Sequence, residues 1–366
     1  MKSRQDEQCA ENGSMAVWCV AAGEIAETSI ETHFNFWRIA GDEAFKGKEP
    51  DNPAKDFLEI GVLVTNPKPL QKICFYLPVK VGKNDIDDAG ARLANTSVAQ
   101  GIFNEQLNCV TTPAPERIEL RTGDKLFCKV HKFIINGGTI DAAHMGVTEF
   151  ADGTLVTIEK DALDSVCVDL NDGERVYFRI RVYLQNGKDS PFIRVITPAD
   201  WRFQSGFEEI AYIDFRLNEL RTLPARVENR MRADEAERKV PISLVAFLTA
   251  FPVHSNVSSS SAQSHKNRLL ENNPWSEYVA SGIPRGMVVY HWKKIGKDGM
   301  GVSDFSSFVK LHTRRSGRKI VLTYLAVAFL FGLIGNLTAN WFTSYFQGES
   351  NTEQNLVVGE EAPKEP

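Results

Sequence analysis

The sequence lacks the short motifs that identify common enzymes and cofactor-binding proteins. It has no G-x-x-x-x-G-K-[ST] phosphate loop, no H-E-x-x-H zinc helix and no G-x-S-x-G nucleophile elbow. None of its six cysteines are at C-x-x-C spacing, so a zinc ribbon or a thioredoxin-like site is not predicted. Scattered cysteines on apolar runs indicate buried thiols in a reducing compartment. We therefore expect no metal and no cofactor, while enzymatic activity stays open.

The sequence also lacks a secretory signal peptide and a strongly positive net charge. The N-terminus is polar and acidic and the nearby apolar run, residues 15–22, is short, so no secretory signal peptide is predicted. Residues 1–14 are expected to be unstructured. The formal net charge of -5 gives no general attraction to nucleic acid. The large N-terminal part is therefore expected to remain in the cytosol.

One long apolar segment is present near the C-terminus. Residues 320–342 contain no charged side chain. As a helix they would extend about 34 Å, enough to cross a hydrocarbon core of about 30 Å. Aromatic side chains cluster at the end of the segment, as they do at a membrane–water interface. We predict a single transmembrane helix that anchors the chain to a lipid bilayer.

The flanks of this segment predict its orientation. The juxtamembrane segment, residues 304–319, ends in a basic cluster, and the tail, residues 347–366, contains one lysine and five glutamates. Basic residues stay on the cytoplasmic side of a membrane. The chain is therefore predicted to lie in the plasma or inner membrane of the cell, with its body in the cytoplasm and its acidic tail on the outer side. The same cluster suits anionic lipid headgroups. Its residues are Arg314, Arg315, Arg318 and Lys319.

One face of the apolar segment differs from the rest. Four residues, Ala328, Gly332, Asn336 and Asn340, recur at i, i+4 spacing. Small residues allow close helix approach and asparagine can hydrogen-bond to a partner helix, which predicts a homo-oligomer formed through this face. The alternative is that the asparagines lie near the outer interface and reach water. For Asn340 the alternative is preferred, and for Asn336 the two are balanced.

The N-terminal body has the pattern of a mainly β protein. Turn dipeptides recur at 136–137, 152–153, 172–173 and 186–187, with strand-like runs between them. We predict an antiparallel, sandwich-like or α+β domain over residues 15–205 and a second α+β portion over 206–303. A soft boundary near Gly206 leaves open whether these are one domain or two.

The second portion mixes element types. Residues 224–239 predict a mostly exposed helix, and residues 240–253 and 287–294 predict strands. The serine-rich residues 255–264 predict a mobile loop, followed by a short helix at 266–272. Residues 304–319 are predicted to form a helix, capped at Ser303 or Asp304, that continues into the membrane.

The strongest candidate binding site is a basic strand. Strict alternation over residues 175–184 places apolar side chains on one face and basic and tyrosine side chains on the other. A hairpin at 186–187 would add Arg194 to the basic face. Such a face suits a phosphate, another small anionic ligand or an acidic protein partner. The alternative, which is preferred, is an exposed face neutralised by acidic residues of other strands. The candidate residues are Arg175, Tyr177, Arg179, Arg181 and Arg194.

Three further groups of acidic and histidine residues are weaker candidates for a functional site. Asp85, Asp87 and Asp88 begin like a calcium loop, but Thr96 stands where a glutamate is needed, so a solvated turn is favoured. His254 and His265 flank the serine-rich segment, which better suits a loop over a ligand pocket than a catalytic site. The remaining pair is Asp141 and His144.

These patterns favour a membrane-anchored sensing or interaction module. It would bind a ligand or protein partner and signal through a self-associating transmembrane helix. The layout is comparable to bacterial signalling and defence effectors, by analogy of architecture alone. The alternatives are a membrane-anchored enzyme with an unrecognised active site, and a scaffold that docks another protein through the charged helix at 224–239.

Overall fold

The computed structural model describes residues 13–25, 27–39, 55–111, 117–184, 191–196, 208–236, 238–261, 263–279, 286–297, 300–314 and 318–357. Within these ranges the chain forms five α-helices, α1 to α5: Thr96–Phe103, Lys160–Cys167, Ala225–Glu235, Asn272–Tyr278 and Arg318–Val357. The same ranges hold twenty strands, β1 to β20 in chain order: Ala16–Ala21, Ser29–Trp37, Phe57–Thr65, Leu70–Leu77, Ile86–Asp88, Asn108–Thr111, Arg117–Thr122, Lys125–His131, Ile135–Asn136, Thr139–Ile140, Met145–Phe150, Gly153–Ile158, Arg175–Tyr183, Ile193–Ile196, Glu208–Leu217, Ile242–Pro252, Ser255–Ser260, Lys266–Leu269, Met287–Ile295 and Phe305–Arg314. The predicted mainly β body followed by one apolar helix is confirmed.

Most strands belong to three sheets. The largest has ten strands in the order β18-β19-β16-β2-β3-β13-β8-β7-β6, with β5 also paired to β13. Two smaller sheets have the orders β1-β4-β12-β11 and β14-β15-β20-β17. Most of the strand pairs whose register the structure describes are antiparallel, while β16 with β2 and β13 with β8 are parallel. The body is therefore a predominantly antiparallel β structure.

The main hydrophobic core lies between the large sheet and the two smaller ones. Alternation along β2, β3 and β13 turns their apolar side chains to this face, where they are buried with those of β1, β4, β12, β15 and β20. Phe215 of β15 packs against Phe34 and Phe247, with ring centroids 5.0 and 4.3 Å apart. These contacts make a sandwich, the arrangement that the alternating sequence predicts.

The opposite face of the large sheet is also covered in part. Helices α1 and α4 bring Val98 and Trp275 against Trp37 and Phe57, which lie on β2 and β3. The Trp37 ring stacks on Phe57 and is 5.6 Å from both Phe57 and Trp275, centroid to centroid. Side chains on this second face of the sheet are therefore enclosed where the helices lie.

The two portions predicted on either side of Gly206 contribute to one sheet. Strand β16 pairs with β2 from Ile242 opposite Ile30 to Ala250 opposite Trp37. Gly206 itself lies outside the described residues. Because a strand from each portion pairs along its length with the other, residues 13–313 hold one shared β core within the ranges described.

Several local predictions in the second portion are wrong, because segments expected to be a loop or helices form strands. The predicted serine loop is β17, the predicted helix at 266–272 is mainly β18, and the predicted juxtamembrane helix is β20, which pairs with β17. In β20 the buried side chains alternate with exposed ones, a period of two that excludes a helix. The helix at 225–235 and the strands at 242–252 and 287–295 are confirmed.

Helix α5 contains the apolar segment. Its apolar span from Val321 to Tyr345 has 25 residues and a mean hydropathy of 1.9, and its most apolar stretch is not buried. By length and composition this helix can cross a membrane. The helix continues to Val357, so the first part of the acidic tail is helical rather than unstructured. Residues 358–366 lie outside the described part of the chain.

Candidate functional site

The basic strand predicted from the sequence is β13, but its polar face does not reach solvent. Tyr177, Arg179 and Arg181 are at most 1% exposed, and only the terminal Arg175 and Tyr183 are half-buried. The alternation is as predicted, since the apolar residues of β13 face the main core. The expectation of an exposed basic face is wrong because α4 covers this side of the large sheet.

The anion that offsets these arginines is internal. Glu59 of β3 accepts a hydrogen bond of 2.5 Å from Arg179 at one carboxylate oxygen. Its other oxygen accepts from Nε and a terminal nitrogen of Arg181, at 3.0 and 2.8 Å. Glu59 is less than 1% exposed. The carboxylate therefore bridges two arginines through charge-assisted hydrogen bonds, which are stronger than bonds between neutral groups.

Two tyrosines complete this cluster. Arg179 donates to the hydroxyls of Tyr177 and Tyr278, at 2.9 and 3.0 Å. Arg181 donates to the backbone oxygen of Tyr278 at 3.1 Å. Burial opposes the charged form of Glu59, but the charges of the two arginines lower its pKa to about 2. We call Glu59, Tyr177, Arg179, Arg181 and Tyr278 the arginine–glutamate cluster.

Arg194 does not join the basic face of β13. It lies on β14, which pairs with β15 in a smaller sheet, with Arg194 opposite Tyr212. Strand β13 has no free edge for β14, because β3 occupies one side and β5 and β8 occupy the other. The dipeptide at 186–187, which was expected to close the hairpin, lies outside the described residues.

The ring of His144 contacts a second histidine rather than the carboxylate of Asp141, and Asp141 meets His144 through its backbone oxygen. The Nδ1 atom of His144 is 3.3 Å from Nε2 of His131, and His131 Nδ1 is 3.3 Å from the Ser165 hydroxyl oxygen. The Ile134 amide also donates toward His144 Nδ1 at 3.4 Å, so His131 is the ring that donates to His144. Asp141 accepts instead from the Ala143 amide at 2.8 Å.

This histidine pair is poorly suited to catalysis. His131 is fully buried on β8 and His144 is 5% exposed. Burial and the neighbouring His144 lower the pKa of His131 to about 3, which makes it a weak base at neutral pH. The contacts link β8 to α2, and they favour a packing role over the enzymatic alternative.

The acidic loop does not gather its carboxylates. Asp85 accepts from the Gly82 amide at 3.1 Å, and Asp87 accepts from the Tyr183 hydroxyl at 3.0 Å. Asp88 accepts from the Gly90 amide at 2.8 Å. In the parts of the chain that the structure describes, no group of three or more His, Cys, Asp or Glu residues is arranged to hold a metal ion.

A cleft opens between the β18–β19 edge of the large sheet and β20 of a smaller sheet. Its volume is about 490 Å³. His265, singled out in the sequence, lies at its rim, and its amide donates to the His291 backbone oxygen at 2.7 Å. His254 lies instead at the turn between β16 and β17. We call this the β19–β20 cleft; it is lined by Gln263, Ser264, His265, Trp292, Lys293, Phe305 and Ser306.

The β19–β20 cleft combines an apolar floor with a basic rim. Trp292 is 3% exposed and stacks on Phe247, with centroids 5.9 Å apart. Lys293 is exposed, and Asp304, the acidic residue next to Phe305 of the lining, is paired with Lys294 at 3.2 Å. Desolvation and the positive charges of Lys293 and Lys266 lower the pKa of His265. The rim is therefore electropositive.

The residues predicted for self-association lie on α5. Ala328, Gly332, Asn336 and Asn340 are all exposed, and a Cβ atom added at Gly332 would meet nothing within 4 Å. Their i, i+4 spacing places them along one face of the helix. Among the predicted membrane-interface residues, Arg314 ends β20 while Arg318 and Lys319 begin α5; Arg315 lies outside the described residues.

No protein-family model matches this chain, and no curated protein is significantly similar to it.

Proposed function

We propose that this chain is a membrane-anchored sensing or interaction module. Its β body lies in the cytosol and binds a ligand or protein partner, and α5 both anchors it and associates with α5 of a second copy. The observation that carries the proposal is α5 itself. Its apolar span has 25 residues, and the most apolar stretch of that span is not buried. Apolar helices of this length are stable in a bilayer, where their backbone is internally hydrogen-bonded.

The orientation is supported by the distribution of charge. Four basic residues immediately precede the apolar span, whereas the sequence after it carries five glutamates and one lysine. Cytoplasmic flanks are enriched in lysine and arginine, which supports a cytoplasmic body and a tail outside. The basic flank would also contact anionic lipid headgroups.

Self-association is supported by the small and amide-bearing face of α5. Gly332 and Ala328 allow a second helix backbone to approach closely, and Asn336 can donate and accept across the contact. An asparagine within the apolar span is costly without a hydrogen-bond partner, which favours a neighbouring helix.

Fractionation and mass measurement test the proposal. Full-length protein should stay with membranes through an alkaline carbonate wash, and after detergent extraction it should have the mass of an oligomer. Gly332→Leu and Asn336→Leu should reduce it to a monomer. Ala326→Leu adds the same side chain about 120° around the helix from Gly332, and should keep the oligomer.

Each part of the proposal can fail separately. Release of the protein by carbonate would overturn the membrane anchor. A monomeric wild type, or an oligomer that survives both substitutions, would overturn association through this face and leave α5 as an anchor only.

A further inference from the structure

The β19–β20 cleft presents two kinds of chemistry side by side. Its floor includes the aromatic rings of Trp292 and Phe305, which are held in place by stacking on Phe247 and by an edge contact with Phe215. Its rim carries Lys293 and His265. A ligand that fits this cleft would therefore place a flat apolar group inward and a negative charge at the rim.

The positive charge of this rim is available, in contrast to that of the arginine–glutamate cluster. There the guanidinium groups are enclosed and bound to Glu59. At the cleft, Lys293 of the lining and the nearby Lys266 are exposed, and Asp304 is held by Lys294. His265 is exposed too, but because its pKa is lowered it offers a hydrogen bond rather than a charge. An incoming anion would thus meet side chains that are open to solvent and already oriented around a cavity.

A buried hydroxyl lies next to the cleft. Ser307 is two residues after Phe305 on the same face of β20 and is 1% exposed. Its hydroxyl has no hydrogen-bond partner among the described residues. Buried polar groups are rarely left unsatisfied, so the interior beside the cleft retains an unmet hydrogen-bonding capacity.

We infer that the β19–β20 cleft binds a small organic anion with a planar aromatic ring, such as an aromatic carboxylate, sulfonate or phosphate. The ring packs against Trp292 and Phe305, and the anionic group binds Lys293 and His265. The volume of about 490 Å³ falls within the usual size of small-molecule sites. This inference rests on the proposed ligand-binding function and names its ligand class.

Naphthalene-2-sulfonate is a suitable probe because it is soluble and has a close neutral analogue, naphthalene-2-sulfonamide. Full-length protein in phosphatidylcholine nanodiscs would be titrated by calorimetry, with empty nanodiscs as the blank. We expect saturable binding of one sulfonate per chain. The sulfonamide, which lacks the charge, should bind at least about tenfold more weakly, and methanesulfonate, which lacks the ring, should not bind measurably.

Single substitutions locate the site. Lys293→Gln and His265→Gln should each weaken sulfonate binding about fivefold or more, while Lys297→Gln, an exposed lysine outside the lining, should leave it unchanged. Equal binding of sulfonate and sulfonamide, equal effects of Lys293→Gln and Lys297→Gln, or no binding at all would overturn the inference. The carbonate wash and mass measurement use no ligand, so failure here is distinguishable from failure of the membrane-anchored role.

Discussion

Glu59 lies directly opposite Arg181 across β3 and β13, and its carboxylate is shared between Arg181 and Arg179 inside the protein. Two guanidinium groups and one carboxylate leave this enclosed cluster with one excess positive charge. The desolvation of such ions offsets much of their attraction, so the cluster need not add to stability as a whole. Loss of one partner is a different matter, because the others would remain buried without a counter-charge.

Glu59→Gln is therefore expected to lower the free energy of unfolding by about 3–5 kcal/mol. The glutamine keeps the shape and loses the charge that both arginines require. Urea unfolding of the full-length protein in detergent, followed by tryptophan fluorescence, measures the change. The matched control is Glu31→Gln on β2, whose side chain is 32% exposed and should cost under about 1 kcal/mol. Equal stability of the two variants would contradict this account.

Gly61 is expected to be intolerant of any side chain. It lies on β3, opposite Arg179 of β13. A Cβ atom at this position would be 2.0 Å from the Tyr177 hydroxyl oxygen. Gly61→Ala must displace Tyr177 and weaken its hydrogen bond to Arg179, at a cost of about 1–3 kcal/mol. Gly82→Ala is the control, since its nearest neighbour would be 3.6 Å away. If both variants have the same unfolding midpoint in urea, the close contact at Gly61 is not rigid.

The buried histidines predict a loss of stability in mild acid. Burial lowers the pKa of His131 to about 3 and that of His291 to about 4, against about 6.5 in an unfolded chain. Below pH 6.5 the unfolded state therefore binds protons that the folded state does not. The stability from the neutral rings is complete above pH 6.5 and decreases as the pH falls toward 3–4, by up to about 1.4 kcal/mol per pH unit for each histidine.

His131→Gln tests this relation, because glutamine cannot take up a proton in this range. Between pH 6 and pH 4.5 the unfolding free energy of this variant should fall less steeply than that of the wild type. The difference between the two slopes should be about 1.4 kcal/mol per pH unit. Asn267→Gln, at an exposed position of β18, changes no titrating group and should keep the wild-type slope. A wild-type slope in His131→Gln would show that this histidine is protonated in the folded protein.

Local strand structure could be predicted from the sequence because hydrophobic alternation is a local property. The alternating run at 175–184 is β13, Arg175–Tyr183, and the apolar run predicted at 240–253 is β16, Ile242–Pro252. The alternation in β20 was equally visible, but the basic residues after it and the apolar segment favoured a helix there. Strand pairing with β17, about 50 residues earlier in the chain, is what determines the outcome.

The cover over the second face of the large sheet could not be predicted from alternation. A strand with polar residues at every second position looks the same whether that face meets water or another element. Here Tyr278, 97 residues after Arg181, closes the face. One local indication existed: Glu59 is the single charged residue in the otherwise apolar β3, FLEIGVLVT. An isolated carboxylate in such a strand requires a buried cationic partner.

The candidate cleft was only partly visible in the sequence. His265 was noted beside the serine-rich segment, but Trp292 and Lys293 gave no separate indication of a site. The cleft depends on β18 pairing with β19 and on β20 lying in a different sheet. Such a juxtaposition of two sheet edges arises from tertiary packing and leaves no fixed spacing in the chain.

The proposed orientation predicts opposite labelling of the two ends of the chain. All six cysteines precede the apolar helix, so a new cysteine in the tail is a distinct reporter. In intact cells a membrane-impermeant maleimide should label Glu353→Cys, because the basic flank keeps the body inside and directs the tail outward. Ser258→Cys, on the exposed part of β17, should be labelled only after permeabilisation. The reverse pattern would place the body outside, and labelling of neither before permeabilisation would place both ends in the cytosol.

Replacing Arg314, Arg315, Arg318 and Lys319 with serine should then reduce tail labelling in intact cells, since the charge asymmetry that sets the orientation is removed.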